Sequence, residues 1–490
     1  MQEFMNWKTL SHMPRREYEE LQNRKLRAFL RYQIFPYHPY YKRLFRAKGI
    51  DVYDIKTTDD LQKIPFTSKG DIAPTADDPR KYTDFVLQPD ETSLKKYAPK
   101  TKLFKMLLKG LLRGKDAARH DVVYEYKPVH MHFTTGRTAL PTPFLYTSYD
   151  MDLFKEGASR LFDVIDVNPD YIGVSAFPYA PHMAFWLAYH AAMKMMITGL
   201  HTGGGKIMGT PNIIRAIERM KANFVVAIPG YGYHLFREAS EQKRDFSSVK
   251  IVVFGGERVA PGFKEKVHEF LKSMGASDVK LLSTYASTET KCGWVECRDD
   301  SGYHTYPDLE FIETIDPKTG ERVGEGEEGE VVYTALDWRG SVVLRYRTGD
   351  VTREGMLYDT CECGRTVPRI GGTIHRTSDF KEFNLSKIKG TLVNLNAFYP
   401  TLSGCKSIVE WQVEIRKKNN DPFETDEIIV YVTPQKGTHD VEKEISALLL
   451  KEMEVTPNEI IFLPLQELVE RLGVDTELKE RRLVDLRPKL

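Results

Sequence analysis

The run Arg345-Tyr-Arg-Thr-Gly-Asp350 decides the fold of this chain. It follows an apolar, strand-like stretch at residues 331–344, and its glycine predicts a turn that presents the acid directly after a strand. A carboxylate fixed there can accept hydrogen bonds from the diol of a ribose. Asp350 is therefore the strongest single candidate for a binding residue.

Three further motifs accompany this run. They are Thr134-Thr-Gly-Arg137, Tyr285-Ala-Ser-Thr-Glu289 and Gly326-Glu-Glu-Gly-Glu-Val-Val-Tyr-Thr334. In this order the motifs resemble the adenylate-forming acyl-CoA ligase superfamily. The segments 316–321 and 361–370 are similar to its phenylacetate-CoA ligase branch, and the resemblance spans nearly the whole chain.

Composition limits the class of protein independently of the motifs. The chain has 490 residues, 41% of them hydrophobic, so two or three globular domains are expected. A formal net charge of +1 gives no global reason to expect nucleic acid or a membrane as a partner. No leader pattern or span of ~18 apolar residues is present, and five cysteines are too sparse for a disulfide framework. We expect a cytoplasmic protein without a transmembrane segment.

Short apolar strands alternate with helical patterns between residues 170 and 290, which predicts a parallel or mixed sheet with helices packed on it. The pattern restarts after residue 376 as two strands, a helix and a third strand. The predicted fold is α/β. It has a large multi-sheet N-terminal domain at residues 1–375, which binds ATP and the acid, and a smaller, mobile α+β lid domain at 376–490.

The resemblance implies that Thr134, Thr135, Gly136 and Arg137 form a loop around the β and γ phosphates of ATP. Such a loop needs small residues for main-chain contact, hydroxyl donors and a cation. Phe133 replaces a usual glycine, and residues 138–140 resemble an insertion. As a bare string the segment is more often an ordinary turn.

The resemblance also assigns the segment 285–289. Tyr285 is expected to stack on adenine, Thr288 to reach the α-phosphate and Glu289 to hold Mg²⁺, with Ala286 and Ser287 beside the nucleotide. A hard divalent cation prefers carboxylate and phosphate oxygens. The alternative is a helix N-terminus capped by Ser287 or Thr288.

The family's adenine-side loop matches Gly255, Gly256 and Glu257, which follow an apolar strand. The same three residues are also typical of a simple turn. Arg365 or Arg369 is expected to support Asp350.

Motifs of the small domain match less closely. Arg376 corresponds to an arginine that meets ribose or phosphate, whereas the usual hinge acid falls on Ser378 and leaves Asp379. Lys479 corresponds to the mobile lysine that holds the carboxylate against the α-phosphate, with Leu478 in place of glycine. The alternative for this charged tail is a solvated surface.

Three cysteines and a histidine form two short pairs, Cys297 with His304 and Cys361 with Cys363. Three thiolates and one imidazole complete a tetrahedral shell for structural zinc, with no open position for chemistry. Related ligases resemble this pattern. The alternative is a set of buried or idle thiols.

Residues 95–119 carry nine lysines or arginines against one acid. A basic amphipathic stretch can lie on a membrane, face an acidic carrier protein or attract CoA phosphates. We favour a lid whose apolar stripe packs on the main domain and whose lysines face water. The aromatic-rich segments 177–186 and 231–234 are candidates for an acyl pocket, and core packing explains them equally well.

The resemblance implies ATP-dependent activation of a carboxylic acid through an acyl-adenylate, then transfer to a thiol, with CoA and an aromatic acid favoured. ATP or AMP, Mg²⁺ and CoA are the expected cofactors, with structural Zn²⁺ in addition. Transfer to an amine, a hydroxyl or an acyl carrier protein, and a non-catalytic nucleotide-binding relative, are the alternatives. A homodimer is left open, and no nucleic acid partner is expected.

Overall fold

A computed structural model describes residues 5–134, 142–179, 183–256, 259, 262–376, 385–388, 391–417, 426–453, 455–474 and 480–487. The chain divides into two compact units. The first contains Met1–Tyr171, Tyr179–Gly199 and Leu282–Ile374, and the second contains Ile172–Pro178, Leu200–Leu281 and His375–Leu490. The architecture is α/β with several sheets, as predicted. The domain boundary between residues 375 and 376 stays a prediction.

Helices dominate the first half of the first unit. The longer ones are Arg15–Phe29, Pro39–Lys48, Glu91–Tyr97, Lys100–Arg113, Lys115–Tyr126, Ser148–Val164 and Met183–Met195, and the shorter ones are Trp7–Leu10, Phe35–Tyr37 and Lys69–Ile72. Ser68 caps the last of these, since Asp71 accepts hydrogen bonds from its main-chain N–H and its hydroxyl. Thr67, the residue before the cap, is buried and donates to the carbonyl of Leu344. Among the described helices none is long and apolar enough to cross a bilayer.

The main sheet of the first unit has four strands, in the order Glu310–Ile315, Gly329–Ala335, Tyr346–Thr352 and Ile374–Arg376, and the first three pair antiparallel. The strand Gly329–Ala335 is buried at every position, so both faces of the sheet are covered. The remaining strands form two hairpins and a small three-stranded group. They are Pro128–Phe133 with Pro143–Thr147, Lys280–Ser287 with Cys292–Val295, and Tyr303–His304, Arg369–Ile370 and Met356–Leu357.

Asp350 lies within a strand, so the prediction of a turn directly before it was wrong. Glu330 pairs with Val351, and Val332 pairs with Arg347. Residues 348–350 therefore lie opposite the single residue Val331 and form a β-bulge. Gly349 has a φ of +75°, which a residue with a Cβ rarely adopts. The bulge redirects the chain at the position that carries the acid.

The second unit contains three parallel strands, Ile172–Pro178, Phe224–Ala227 and Ile251–Phe254, which pair in that order. The helices that follow these strands or precede them are Gly205–Met208, Thr210–Arg219, Pro229–Glu241 and Phe263–Ser273, and the edge strand is Thr198–Gly203. Tyr231 and Tyr233 belong to the buried core of this unit, so core packing explains that aromatic pair.

The residues after 376 contribute a second sheet. Its strands, in spatial order, are Glu459–Phe462, Asp426–Pro434, Ile408–Lys417 and Leu483–Asp485. The helices Phe398–Ser403, Val441–Met453 and Leu465–Leu472 and the hairpin Leu385–Ile388 with Thr391–Asn394 complete this part. The two predicted strands, the helix and the third strand are present, and Leu483–Asp485 and Leu465–Leu472 are additions that the sequence reasoning missed.

Candidate active site

Asp350 and Tyr285 come from different motifs and meet in the first unit. The Tyr285 hydroxyl donates to Asp350 Oδ2 at 2.9 Å. Asp350 is nearly fully buried, while Tyr285 is half-buried with its ring tilted against Trp294 at 5.3 Å. The contact places an aromatic face beside a carboxylate, which suits a nucleoside with a base and a diol.

Glu289 is the second acid of this site. Its Oε2 accepts from the Ser287 hydroxyl at 2.8 Å, and its Oε1 accepts from the Tyr346 hydroxyl at 3.3 Å. Tyr346 begins the strand that carries Asp350, so the two acids are joined through tyrosines on neighbouring segments. The half-exposed Glu289 carboxylate offers a single anionic ligand, which fits Mg²⁺ that also takes phosphate oxygens.

The segment 288–291 is the tight connection of a β-hairpin between Lys280–Ser287 and Cys292–Val295. The alternative that Ser287 or Thr288 caps a helix was therefore wrong. Ala286 pairs with Gly293 across the hairpin. Ala286 stands where the family has glycine, and the absence of a side chain at Gly293 leaves room for its methyl group.

A buried ion pair that the sequence reasoning missed supports this hairpin. Lys291 has a φ of +58°, and its ammonium lies 3.1 Å from Asp150 Oδ2. Asp150 also accepts from the main-chain N–H groups of Arg339 and Gly340, at 2.7 and 2.6 Å. The sequence Thr147-Ser-Tyr-Asp150 has the pattern of a capping box, which predicts a helix start. In the structure Asp150 both caps the helix Ser148–Val164 and pairs with Lys291.

The predicted phosphate loop leaves the hairpin Pro128–Phe133 with Pro143–Thr147. At its base the Thr134 N–H donates to the carbonyl of Thr142 at 3.1 Å, and the Thr142 N–H donates to the Thr134 hydroxyl at 3.2 Å. Thr134 therefore closes the ends of the loop. Thr135, Gly136 and Arg137 lie outside the described residues.

The remaining nucleotide candidates belong to the second unit. Gly255 and Gly256 directly follow the strand Ile251–Phe254, and Gly256 has a φ of +84°. Arg376 ends the strand Ile374–Arg376. Glu257, Ser378, Asp379 and Lys479 lie outside the described residues.

Arg365 and Arg369 do not support Asp350 as expected. The guanidinium of Arg365 donates to the carbonyl of Asp163 at 2.8 Å and to its carboxylate at 3.1 Å. The guanidinium of Arg369 donates to the carbonyl of Ser301 and to the carboxylate of Asp359. Helix carbonyls near a C-terminus attract a cation, and this explains the position of Arg365.

The charged tail is not a solvated surface at Glu480 and Arg482. Arg482 donates to the carboxylates of Glu410 and Glu480, at 2.5 and 2.6 Å, and all three side chains are largely buried. Glu480 also approaches Gly230, where a Cβ would lie 2.1 Å from its carboxylate. Within the second unit this cluster fixes the chain directly after residue 479.

The predicted zinc ligands converge. The reactive atoms of Cys297, His304, Cys361 and Cys363 all lie within 4.8 Å of one another. Cys297 Sγ and Cys361 Sγ are 3.5 Å apart, and Cys363 Sγ lies 3.7 Å from His304 Nε2. A tetrahedral zinc with ligands at about 2.0–2.3 Å separates its donor atoms by about 3.5–3.8 Å.

The chemistry of the donor set also fits zinc. Cys297, His304 and Cys361 are buried, and burial lowers the pKa of His304, so its ring is neutral and can offer a lone pair. Gly364 has a φ of +83° and donates its N–H to the carbonyl of Cys361, which turns the chain tightly around the two thiols.

Aromatic and histidine side chains cluster beside the hairpin that leads into the phosphate loop. His130 Nε2 lies 2.9 Å from His132 Nε2, and the Trp186 ring lies 5.4 Å from His130 and 6.2 Å from His190. Burial lowers the pKa of His190 to about 4, so this ring is neutral near pH 7. His182, another residue of the predicted aromatic segment, lies outside the described residues.

Residues 95–119 fold as predicted into basic helices, but the apolar stripe of Lys100–Arg113 does not pack on the unit. Five of its large apolar side chains are exposed, including Phe104, Leu111 and Leu112. The favoured interpretation of a packed lid was therefore wrong.

Glu310 is a fully buried acid whose titration gives a testable pH dependence. Glu310 Oε1 accepts from the Tyr306 main-chain N–H at 3.0 Å and from Trp294 Nε1, and burial raises its pKa to about 8. The neutral acid is favoured in the folded state. Its stabilising contribution is therefore complete below pH ~4.5, the ordinary pKa, and is lost as pH rises toward 8.

We expect the free energy of unfolding to fall on the order of 3–4 kcal/mol from this group between pH 5 and 8, and Glu310→Gln to abolish that part of the slope. Chemical denaturation at several pH values measures it. Glu321→Gln, at an exposed position, is the matched control. Parallel pH profiles for the wild type and Glu310→Gln would contradict the assignment.

Comparison with known proteins agrees with this geometry. A family model described as AMP-binding enzyme matches residues 103–335. The phenylacetate-coenzyme A ligase of Thermus thermophilus is 27% identical over 377 residues, covering 76% of this chain and 73% of that enzyme. The phenylacetate-coenzyme A ligase of Aromatoleum evansii is 26% identical over 464 residues, covering 92% of this chain and 90% of that enzyme.

A crystal structure of 2-hydroxyisobutyryl-CoA ligase in the postadenylation state matches with a TM-score of 0.73 at 20% identity, covering 98% of this chain and 92% of that one, and shows the same fold. These matches support a resemblance of the chain to the adenylate-forming enzymes, the class that its motifs indicated. The chain is phenylacetate-CoA ligase-like, which confirms the resemblance drawn from the motifs.

Proposed function

We propose that this protein is an AMP-forming acid–thiol ligase that activates a carboxylic acid with ATP and transfers the acyl group to CoA. The observation that carries the proposal is the pair of contacts Tyr285 with Asp350 and Tyr346 with Glu289. They join a sugar-binding acid and a cation-binding acid in one place, and a nucleoside triphosphate complexed with a divalent cation requires both.

In this proposal the nucleoside half of ATP binds to Asp350 and Tyr285. The Asp350 carboxylate accepts hydrogen bonds from the ribose diol, and the half-buried ring of Tyr285 contacts adenine. Gly255 and Gly256 offer main-chain groups for the base edge, and Thr288, with Ala286 and Ser287 beside it, faces the α-phosphate.

The first step needs orientation and charge neutralisation but no protein nucleophile. The acid's carboxylate oxygen attacks the α-phosphorus, the bond to the β-phosphate oxygen breaks, and pyrophosphate leaves with the electron pair. Thr134, Thr135, Gly136 and Arg137 are assigned to the departing phosphates, and Lys479 to the attacking carboxylate. Mg²⁺, when bound at Glu289, supplies further neutralisation of phosphate charge.

In the second step the CoA thiolate attacks the acyl carbonyl and AMP leaves. We assign the lid to residues 376–490 and a ribose or phosphate contact to Arg376. A cytoplasmic location, a homodimer and an acyl carrier protein as acceptor stay predictions of the sequence.

An aromatic acid is the proposed substrate class. Trp186 and the neutral ring of His190 lie almost parallel, with an interplanar angle of 27°. Both side chains are half-buried, as is His130 at the hairpin before the phosphate loop. Flat aromatic surfaces favour a flat apolar acid through offset stacking.

The direct test measures acid-dependent exchange of pyrophosphate into ATP across aryl and aliphatic carboxylates, followed by product analysis with CoA or hydroxylamine. We expect exchange with arylacetates or benzoates and acyl-CoA formation that exceeds hydroxamate formation. Hydroxamate without acyl-CoA would point to an amine or hydroxyl acceptor. Absence of exchange with every acid would indicate a nucleotide-binding relative.

Lys479→Ala separates the half-reactions. We expect about 10- to 100-fold slower adenylation, because a cation that holds the carboxylate is lost, while thioester formation from supplied acyl-AMP stays within about threefold. Single-turnover kinetics of each step measure both. Lys443→Ala, on an exposed helix position, is the matched control. Equal loss of both steps would contradict the role of Lys479.

A further inference from the structure

The helix Lys100–Arg113 exposes a continuous apolar face. Phe104 and Leu107 are each 67% exposed, and Leu108, Leu111 and Leu112 are 45%, 84% and 75% exposed. Single exposed apolar residues are ordinary in proteins, whereas a contiguous apolar surface marks an interaction site. The proposed ligase function does not use this face.

Helical geometry places these five side chains on one side. At 100° per residue, positions 104, 107, 108, 111 and 112 fall within an arc of about 140°. The opposite side of the helix lies against the helix Lys115–Tyr126, where a Cβ at Gly110 would be 3.8 Å from Ala118 Cβ. The apolar face therefore points away from the helix that holds it.

Ion pairs fix this orientation. Lys109 pairs with Asp121 at 2.5 Å, and Lys102 pairs with Glu125. Both acids belong to the helix Lys115–Tyr126 and both lysines to the inner side of Lys100–Arg113. Rotation of the helix to bury its leucines would break both pairs.

The surrounding charge selects one type of partner. The helix Lys100–Arg113 contains no acid. Its exposed cations Lys100 and Lys105 lie at the N-terminal end and at the side of the apolar face, whereas Arg113 lies on the opposite side. Leucine and phenylalanine on one side with lysine and arginine around them is the pattern of helices that lie in an anionic bilayer surface. The helix has 14 residues, about 21 Å, which is too short to span a bilayer.

We propose that the helix Lys100–Arg113 binds the surface of an anionic phospholipid membrane and lies parallel to it. Phe104, Leu107 and Leu111 enter the boundary between headgroups and acyl chains. Lys100 and Lys105 contact lipid phosphates. The enzyme is thereby held at a membrane, independently of whether its adenylation chemistry proceeds.

Flotation with lipid vesicles tests this inference on the full-length protein. We expect the wild type to bind phosphatidylcholine vesicles that contain about 30 mol % phosphatidylglycerol, and to bind pure phosphatidylcholine at least about tenfold more weakly. Leu107→Ser with Leu111→Ser should reduce binding to the anionic vesicles about tenfold or more. Lys100→Glu with Lys105→Glu should reduce it to the level of neutral vesicles.

Met193→Ser provides the matched control, because Met193 is 63% exposed on another helix of the same unit. It should leave vesicle binding unchanged, and all variants should keep the wild-type melting temperature, since each altered side chain is solvent-exposed. Equal binding by the wild type and the double serine variant would overturn the proposal. Loss of a dimer, or of binding to an acidic acyl carrier protein, in the serine variant without any vesicle binding by the wild type would also overturn it.

Discussion

Asp350→Ala is expected to lower kcat/KM for ATP by about 10³-fold, or about 4 kcal/mol of transition-state stabilisation. The carboxylate is the proposed acceptor for both ribose hydroxyls, and each hydrogen bond to a charged acceptor contributes about 1.5–3 kcal/mol. The Asp350 side chain is almost completely buried. In Asp350→Ala, water therefore has limited access to the ribose diol and does not replace the lost acceptor. The loss should appear in ATP affinity, measured by calorimetry, and in pyrophosphate exchange.

Graded variants separate this role from structural damage. Asp350→Asn keeps one carbonyl acceptor and should lose about 10- to 100-fold. Tyr285→Phe removes only the hydroxyl that donates to Asp350 at 2.9 Å and should cost less than either. Asp77→Asn, at an exposed position, is the matched control. ATP affinity within twofold of the wild type in Asp350→Ala would refute the assignment.

The convergence of Asp350 and Glu289 was predictable because each belongs to a motif with a distinct residue pattern. The contacts that join them were not, since Tyr346 reaches Glu289 only when two strands pair in one register. Register depends on tertiary partners. A local pattern such as Arg-Thr-Gly-Asp cannot distinguish a turn from a bulge opposite Val331.

Two other predictions were wrong for the same reason, because tertiary partners decide the local structure. A Ser-Thr-Glu string is typical of a helix start, yet residues 288–291 form a hairpin connection supported by the buried pair Lys291–Asp150. That pair spans 141 residues of sequence. Arg365 likewise meets Asp163 rather than Asp350, because the position of a loop arginine is decided by which acid the fold brings near.

The apolar stripe of residues 100–113 shows a different limit. Periodicity correctly predicts an amphipathic helix, but it does not say what covers the apolar side. The pattern therefore predicts the secondary structure, and only the packing of Lys100–Arg113 against Lys115–Tyr126 shows that the apolar face stays exposed.

Cys363→Ser is expected to remove one equivalent of zinc and to lower the melting temperature by about 5 °C, which for a chain of 490 residues corresponds to a loss on the order of 4–5 kcal/mol. The four donor atoms within 4.8 Å join two segments that are far apart in sequence, 297–304 and 361–363. The loop that follows Cys363 contacts the strand of Asp350, because the Thr352 hydroxyl donates to the carbonyl of Gly371 at 3.1 Å. Loss of the metal should therefore also weaken ATP binding.

Elemental analysis and thermal melts with and without a zinc chelator measure these effects. Cys405→Ser is the matched control, because this buried cysteine lies apart from the four ligands and should keep full zinc. The chelator should destabilise the wild type and Cys405→Ser but leave Cys363→Ser unchanged, since the last has no bound metal to lose. Wild-type protein without zinc, melting at the same temperature as Cys363→Ser, would show that the three thiols are idle and that hydrogen bonds alone hold the two loops together.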